Sequence, residues 1–248
     1  GLCDIFYRYN TILVIFYIFF LFPVAACHIM ILGWLNESND TPLEDEETED
    51  KEDIKPIKPK NEDLNSRIKD AQSPNVKKLL ALNACDGRDL SGENLSKFEL
   101  ISASIKNADL TGANLSSARL YGAILSESNF NNANLEQANL EKAQCWETQF
   151  KDANLRRAVL SWASVENSNF ENANLELADL SQANLEGANL ENANLEGANL
   201  ENANLEGANL ENANLEGALL SGASFEKAIL TNANLSSSEI GSANFNSA

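Results

Sequence analysis

Histidine is all but missing from this chain: of 248 residues, only His28 is one. Away from that position neither a Ser-His nor a Cys-His pair can form, which removes the commonest activated-nucleophile arrangements. Cysteine is nearly as scarce. Cys3, Cys27, Cys85 and Cys145 include no Cys-x-x-Cys spacing and no Cys/His cluster, so zinc and dithiol redox sites have no basis. Carboxylates are plentiful, but apart from Glu93 those after residue 85 fall on outward positions with no sign of a pocket between them. These absences predict a protein that is not an enzyme, with no cofactor and no metal. Bases are short as well: 18 Lys and Arg stand against 37 Asp and Glu, a net charge of −19. Such a surface repels nucleic acid and attracts cations or basic proteins. From Arg88 onward the 3.6-residue period of an amphipathic helix is also lacking.

What is there instead is a period of five. Every position divisible by five from Leu90 to Phe245 is apolar, 32 positions of which 23 are Leu, and 25 of the residues two places earlier are Ala. The phrase reads A-N-L-x-x and stands as three identical GANLENANLE copies across residues 187–216. A strict five drifts around a helix by about 140° per step, and an ordinary strand alternates with period two. A short extended unit followed by a bend fits. Ala and Leu, two apart, then point inward together, while the other three residues face out or make the corner. Four such units close a square coil that stacks on the next through backbone hydrogen bonds.

An independent check on coil length comes from the exceptions. Phe130, Phe150 and Phe170 are 20 apart, each preceded two places earlier by a hydroxyl residue (Ser128, Thr148, Ser168), and Phe225 and Phe245 are also 20 apart. Sorting inward residues by position modulo 20 leaves two faces that are Leu throughout apart from Ile240. The remaining exceptions gather on the other two faces.

On these motifs the chain resembles the pentapeptide repeat family. The resemblance implies an all-β solenoid: a right-handed quadrilateral β-helix, here of about eight four-pentad coils over residues 86–248. The stretch from Leu79 to Leu95, LLALNACDGRDLSGENL, resembles the lead-in segment common in bacterial members. Family members often carry a second cysteine where this chain has Arg88, and that departure leaves Cys85 without the partner. Some members are acidic rods that mimic DNA and bind type II topoisomerases, so the resemblance implies that activity as an alternative function.

The rest of the chain reads in order. It opens on Gly1 and not Met, as a fragment or a processed product would. Residues 1–35 form an apolar N-terminal segment in which Thr11–Leu35 carries one ionisable side chain, His28. That is long enough to cross a bilayer, which takes about 20 apolar residues. The sequence favours a retained transmembrane anchor over a cleaved signal ending at Val24-Ala25-Ala26 or a lipid-modified Cys27. Arg8 is the only cation before the span, so the short N-terminus is expected inside and the repeats on the extracytoplasmic side. Residues 36–70 read as a disordered linker, acidic at first (44–50) and then Lys-Pro-rich (54–60), with too little apolar content to order itself. Residues 71–85 hold a short capping helix, with Ser73 as N-cap, Pro74 at the first helical position and Val76, Leu79, Leu80 and Ala84 as the apolar stripe. The chain stops at Ala248 in mid-pentad, which predicts a homodimer through that end or a longer natural chain.

Two surface features bear on partners. Outward Glu residues stack in columns: Glu171, Glu191 and Glu211 in one, Glu176, Glu196 and Glu216 in a second, Glu166, Glu186, Glu206 and Glu226 in a third. Neighbours in a column are about 4.8 Å apart. Between the acidic stretches the pattern breaks: Trp146, Lys151, Arg156, Arg157 and Trp162 take outward positions, and Tyr121 shares an outward column with Ile101. Exposed Trp, Tyr and Arg are what interface centres are enriched in. The sequence therefore predicts a non-enzymatic, membrane-tethered repeat scaffold that binds an unidentified protein partner there. A topoisomerase-binding DNA mimic and a cation-binding structural element are the alternatives.

Overall fold

The computed structural model describes residues 73–248. The segments read above as a membrane anchor (1–35) and a linker (36–70) lie outside them. The first described element is helix α1, Pro74–Leu82. The Ser73 side chain accepts from the Val76 N–H at 3.5 Å, and the helix ends on Asn83 in the left-handed conformation. Val76 and Leu79 are buried in the same core as the first coil's Cys85, Leu90, Leu95 and Leu100, while Leu80 packs against it and Leu82 stays exposed. Side-chain amides fix the junction: Asn75 donates to the Asp89 carbonyl at 2.7 Å and Asn83 to the Ile101 carbonyl at 2.8 Å. The helix thus covers apolar side chains and backbone groups that an open coil would leave bare.

From Ala84 onward the backbone forms a ladder of isolated parallel bridges, each linking a residue to the one 20 positions later, from Ala84–Ser104 to Ser224–Asn244. A coil therefore comprises four pentads, one to each side. A side is too short to form a strand: two or three extended residues meet a corner, so each contributes one bridge. At strand spacing, eight coils make a rod about 38 Å long.

One pentad shows how the backbone is satisfied. The Leu195 N–H donates to the Asn214 carbonyl, Gly197 to Glu216 and Asn199 to Ala178, all between coils at 2.7–2.9 Å. Ala198 donates back to the Leu195 carbonyl at 3.0 Å, closing the corner. The fifth donor, the Glu196 N–H, goes to the Asn194 side-chain oxygen at 3.3 Å. All five N–H groups have acceptors, as a buried column requires. The last residue of nearly every pentad has φ between about 50° and 72°, whether Gly or not, and together with the corner hydrogen bond this matches a type II turn.

The asparagine of the motif has a second task. Its amide donates to the Asn one coil earlier, as in Asn154–Asn134 at 3.0 Å, Asn214–Asn194 at 3.1 Å and Asn234–Asn214 at 3.0 Å. One position thus caps its own corner and ties neighbouring coils. Inside, Ala and Leu fill the column and are almost wholly buried up to Ala228. Phe130, Phe150 and Phe170 stack with ring centroids 5.2 and 4.8 Å apart, and Phe225 on Phe245 at 4.9 Å. Beside the first stack, Ser128, Thr148 and Ser168 are buried and donate to the carbonyls of Ile105, Leu125 and Cys145.

Candidate functional site

The four edges of the rod are named here by their residues in one coil: the 101, 106, 111 and 116 edges, with the 104 face between the first two. This register decides where the sequence-predicted patch falls. A single coil wraps all four edges, so Trp146 lies on the 106 edge, Lys151 on the 111 edge, Arg156 and Arg157 on the 116 edge, and Trp162 on the 101 edge. The six candidates therefore do not form one surface. Five residues of sequence separation is a quarter turn, which a linear reading of residues 142–162 overlooks.

The cations among them are engaged elsewhere. Lys151 pairs with Glu171 at 2.8 Å, and Arg156 reaches Glu176 at 3.2 Å and Glu136 at 3.5 Å. Their hydrogen bonds to Glu171 and Glu176 hold both groups above their usual pKa ranges. They serve as counter-ions inside the glutamate columns. Arg157 stands at a left-handed corner with φ 56° and makes no ion pair among the described residues.

The aromatic candidates do come together. Tyr121, Lys142 and Trp162 follow one another up the 101 edge, one coil apart, with Ile101 one coil below. The Lys142 ammonium donates to the Tyr121 hydroxyl at 3.0 Å and lies 5.3 Å from its ring centroid. That hydrogen bond raises the lysine pKa. Trp162 is 60% exposed and Trp146, across the 104 face, 37%. Between the two edges the face carries Ile124, Gln144 and Ser164 where the later coils carry Asn184 and Asn204. Ser126, a corner residue one coil below Trp146, is fully buried.

Loss of asparagine from this face has a backbone consequence that sequence reasoning missed. Ile124, Gln144 and Ser164 make no corner cap, and among the described residues the N–H groups of Ser126, Trp146 and Glu166 have no acceptor. The same holds for Tyr121 and Ser161 on the 101 edge, where Arg119 and Val159 replace Asn. On the 116 edge, by contrast, Asn114 through Asn234 cap every corner. Sorting the outward residues modulo 20, like the inward ones, is the signal that reveals this. Glu166 adds a further irregularity: its Oε1 accepts from Asn184 at 2.7 Å, whereas its buried Oε2 has no partner.

Charge is distributed as unevenly. No Lys or Arg occurs between Arg157 and Lys227, 69 residues holding 12 acids. The 106 edge carries seven acids against two bases, whereas the 101 edge has only Glu141 and Glu201 against Lys142, and the 104 face has no charge at all. Among the described residues no group of three or more metal-ligating side chains converges, and no helix is long and apolar enough to cross a membrane.

These features define a class: over the described residues, an acidic four-sided repeat solenoid of the quadrilateral β-helix type. The profile for pentapeptide repeats matches eight copies over residues 85–116 and, in overlapping blocks, 118–246. The chain belongs to the pentapeptide repeat family. None of the curated proteins matches it significantly. Among solved structures, HetL, a pentapeptide repeat protein involved in heterocyst differentiation regulation in the cyanobacterium Nostoc sp. strain PCC 7120, is 28% identical, with a TM-score of 0.48 over 66% of this chain and 83% of that one. QnrB1, a plasmid-mediated fluoroquinolone resistance protein, is 24% identical, with a TM-score of 0.49 over 64% of this chain and 77% of its own. Rfr23 from the cyanobacterium Cyanothece 51142 is 28% identical, with a TM-score of 0.25 over 68% of this chain and 99% of its own.

Proposed function

We propose that this pentapeptide repeat scaffold is non-enzymatic, is tethered to a membrane by residues 1–35, and binds a protein partner outside the cytoplasm. The observation that carries the binding role is the surface of the first four coils, where Trp146 and Trp162 stand exposed at corners bordering a face on which Ile124, Gln144 and Ser164 replace the capping asparagines. A column needing only stability has no use for Trp146 and Trp162 at exposed corners, since Ser, Gln, Glu and Asn serve there in other coils. The tether rests on the 25-residue apolar run Thr11–Leu35, and the orientation on Arg8 alone. The reading requires no cofactor.

Fractionation with protease protection tests it. The chain is expected in the membrane pellet, with its repeats cut only by protease added on the extracytoplasmic side. Recovery from the soluble cytoplasm would overturn the tether. It would favour a second reading, for which the 69 base-free residues speak: an acidic rod that mimics nucleic acid and binds a type II topoisomerase.

A further inference from the structure

We infer that the 104 face of the first four coils, with the edges that border it, docks a short basic and partly apolar polypeptide segment. The inference deepens the scaffold reading and rests on it. Two features of the surface point to this occupant. Ile101, Tyr121, Ile124, Trp146 and Trp162 cluster on this one side of the rod, and rigid aromatic side chains are the usual anchors of interfaces. Around them the rim is acidic: Glu127, Glu147 and Glu166 on the 106 edge and Glu141 on the 101 edge, against Lys106 and Lys142. Lys142 and Glu141 pair with each other at 3.5 Å and cancel, which leaves Glu127, Glu147 and Glu166 against Lys106. A basic ligand is therefore attracted, and an acidic one repelled.

Size separates a segment from a second copy. Four coils by one side measure about 19 Å by 10 Å, roughly 200 Å² in projection, well below the ~800 Å² per partner of a stable protein–protein interface. A second copy would also bring one acidic rod against another. A short segment needs no more area than this face provides, and the acidic rim speeds its capture.

The test uses the full chain and three dansylated 14-residue probes: an amphipathic Leu/Lys peptide, its Leu/Glu counterpart and an oligolysine. The Leu/Lys peptide should bind, blue-shifting tryptophan emission, and the other two should bind at least tenfold more weakly. Trp146→Ser with Trp162→Ser should weaken it tenfold or more. Gln144→Arg, at an exposed position in mid-face, should weaken it several-fold without touching the core. Glu191→Gln with Glu211→Gln, on the 111 edge, should change nothing. Equal binding of oligolysine, unchanged affinity in both face variants, or loss of the peptide to zwitterionic phosphatidylcholine vesicles that themselves bind the face would overturn the inference. If the chain ignores all three peptides, the docking inference fails alone, because membrane placement and partner capture test the scaffold reading separately.

Discussion

The asparagine of each pentad does more than its small size suggests. Asn194 accepts from the Glu196 N–H, donates to Asn174 at 3.4 Å and accepts from Asn214 at 3.1 Å. Asn194→Ala orphans a corner N–H and breaks the amide ladder on both sides, so a loss of about 1–3 kcal/mol is expected in chemical denaturation. Asn194→Asp keeps the cap and loses only the amide donor; the chain itself uses Asp109 and Asp179 as caps. The Asp variant should retain more than half of the stability that Ala loses. Equal losses would mean the ladder, not the cap, is what matters.

Cys145 gives a pH dependence of definite sign. It fills an inward site in the column of Ile105 and Val165, wholly buried, and burial, aided by the nearby Glu166 carboxylate, raises its thiol pKa far above the usual range. Burial raises Cys85 as well. A raised folded-state pKa stabilises fully below the unfolded value, about 8.5, and that contribution is lost as pH climbs past it. Stability should therefore fall between about pH 8.5 and 10, and Cys145→Val should flatten the decline. Maleimide at pH 8 should label Cys145 only after unfolding; rapid labelling of the native chain would contradict the inward assignment.

At the level of the coil, a set of four pentads is the indivisible unit. Every bridge spans 20 positions, and the Phe and hydroxyl columns keep that register. Deleting residues 187–206 removes one whole coil and returns every later residue to its own column. Deleting 187–204 instead shifts the sequence by two places, so that Glu206, Glu211 and Glu216 take inward Ala positions while Ala208, Ala213 and Ala218 take the Leu positions. The first variant should keep a β-type circular dichroism spectrum and cooperative unfolding. The second should lose ordered structure beyond the deletion, because each misplaced Glu would be buried without a partner and Ala would leave the Leu sites underfilled. Cooperative melting of both at similar temperatures would refute the column assignment.

For the whole rod the governing term is charge. Edges of stacked glutamates repel along and across the columns, and the ion pairs of Lys151, Arg156 and Lys227 relieve this only locally. Screening should dominate: raising NaCl from about 10 mM to 0.5 M shortens the Debye length from roughly 30 Å to under 5 Å. The melting temperature should then rise, whereas a fold held chiefly by its surface ion pairs would melt lower. Binding of the Leu/Lys probe should weaken over the same range.

Coil length, inward columns and the N-terminal helix were all legible in the linear chain. Their cause is local: a period of five with Ala and Leu two apart admits one way to bury both, and Ser73-Pro74 is a helix start in any context. The phenylalanine spacing even reports the number of sides. What only the tertiary structure decided concerns the outside of the rod. Whether Trp146, Lys151, Arg156 and Trp162 form one surface depends on how a coil distributes consecutive pentads, and it sends them to four edges. The lysine and Arg156 are taken up by glutamates one coil away, partners that sequence proximity does not suggest. The cost of replacing asparagine at Ile124 or Gln144 likewise appears only once the corner N–H groups are traced to their acceptors. Burial repeats with the sequence period and can be read from it; hydrogen bonds and ion pairs between coils join residues about one coil apart in the chain and need the stack to exist.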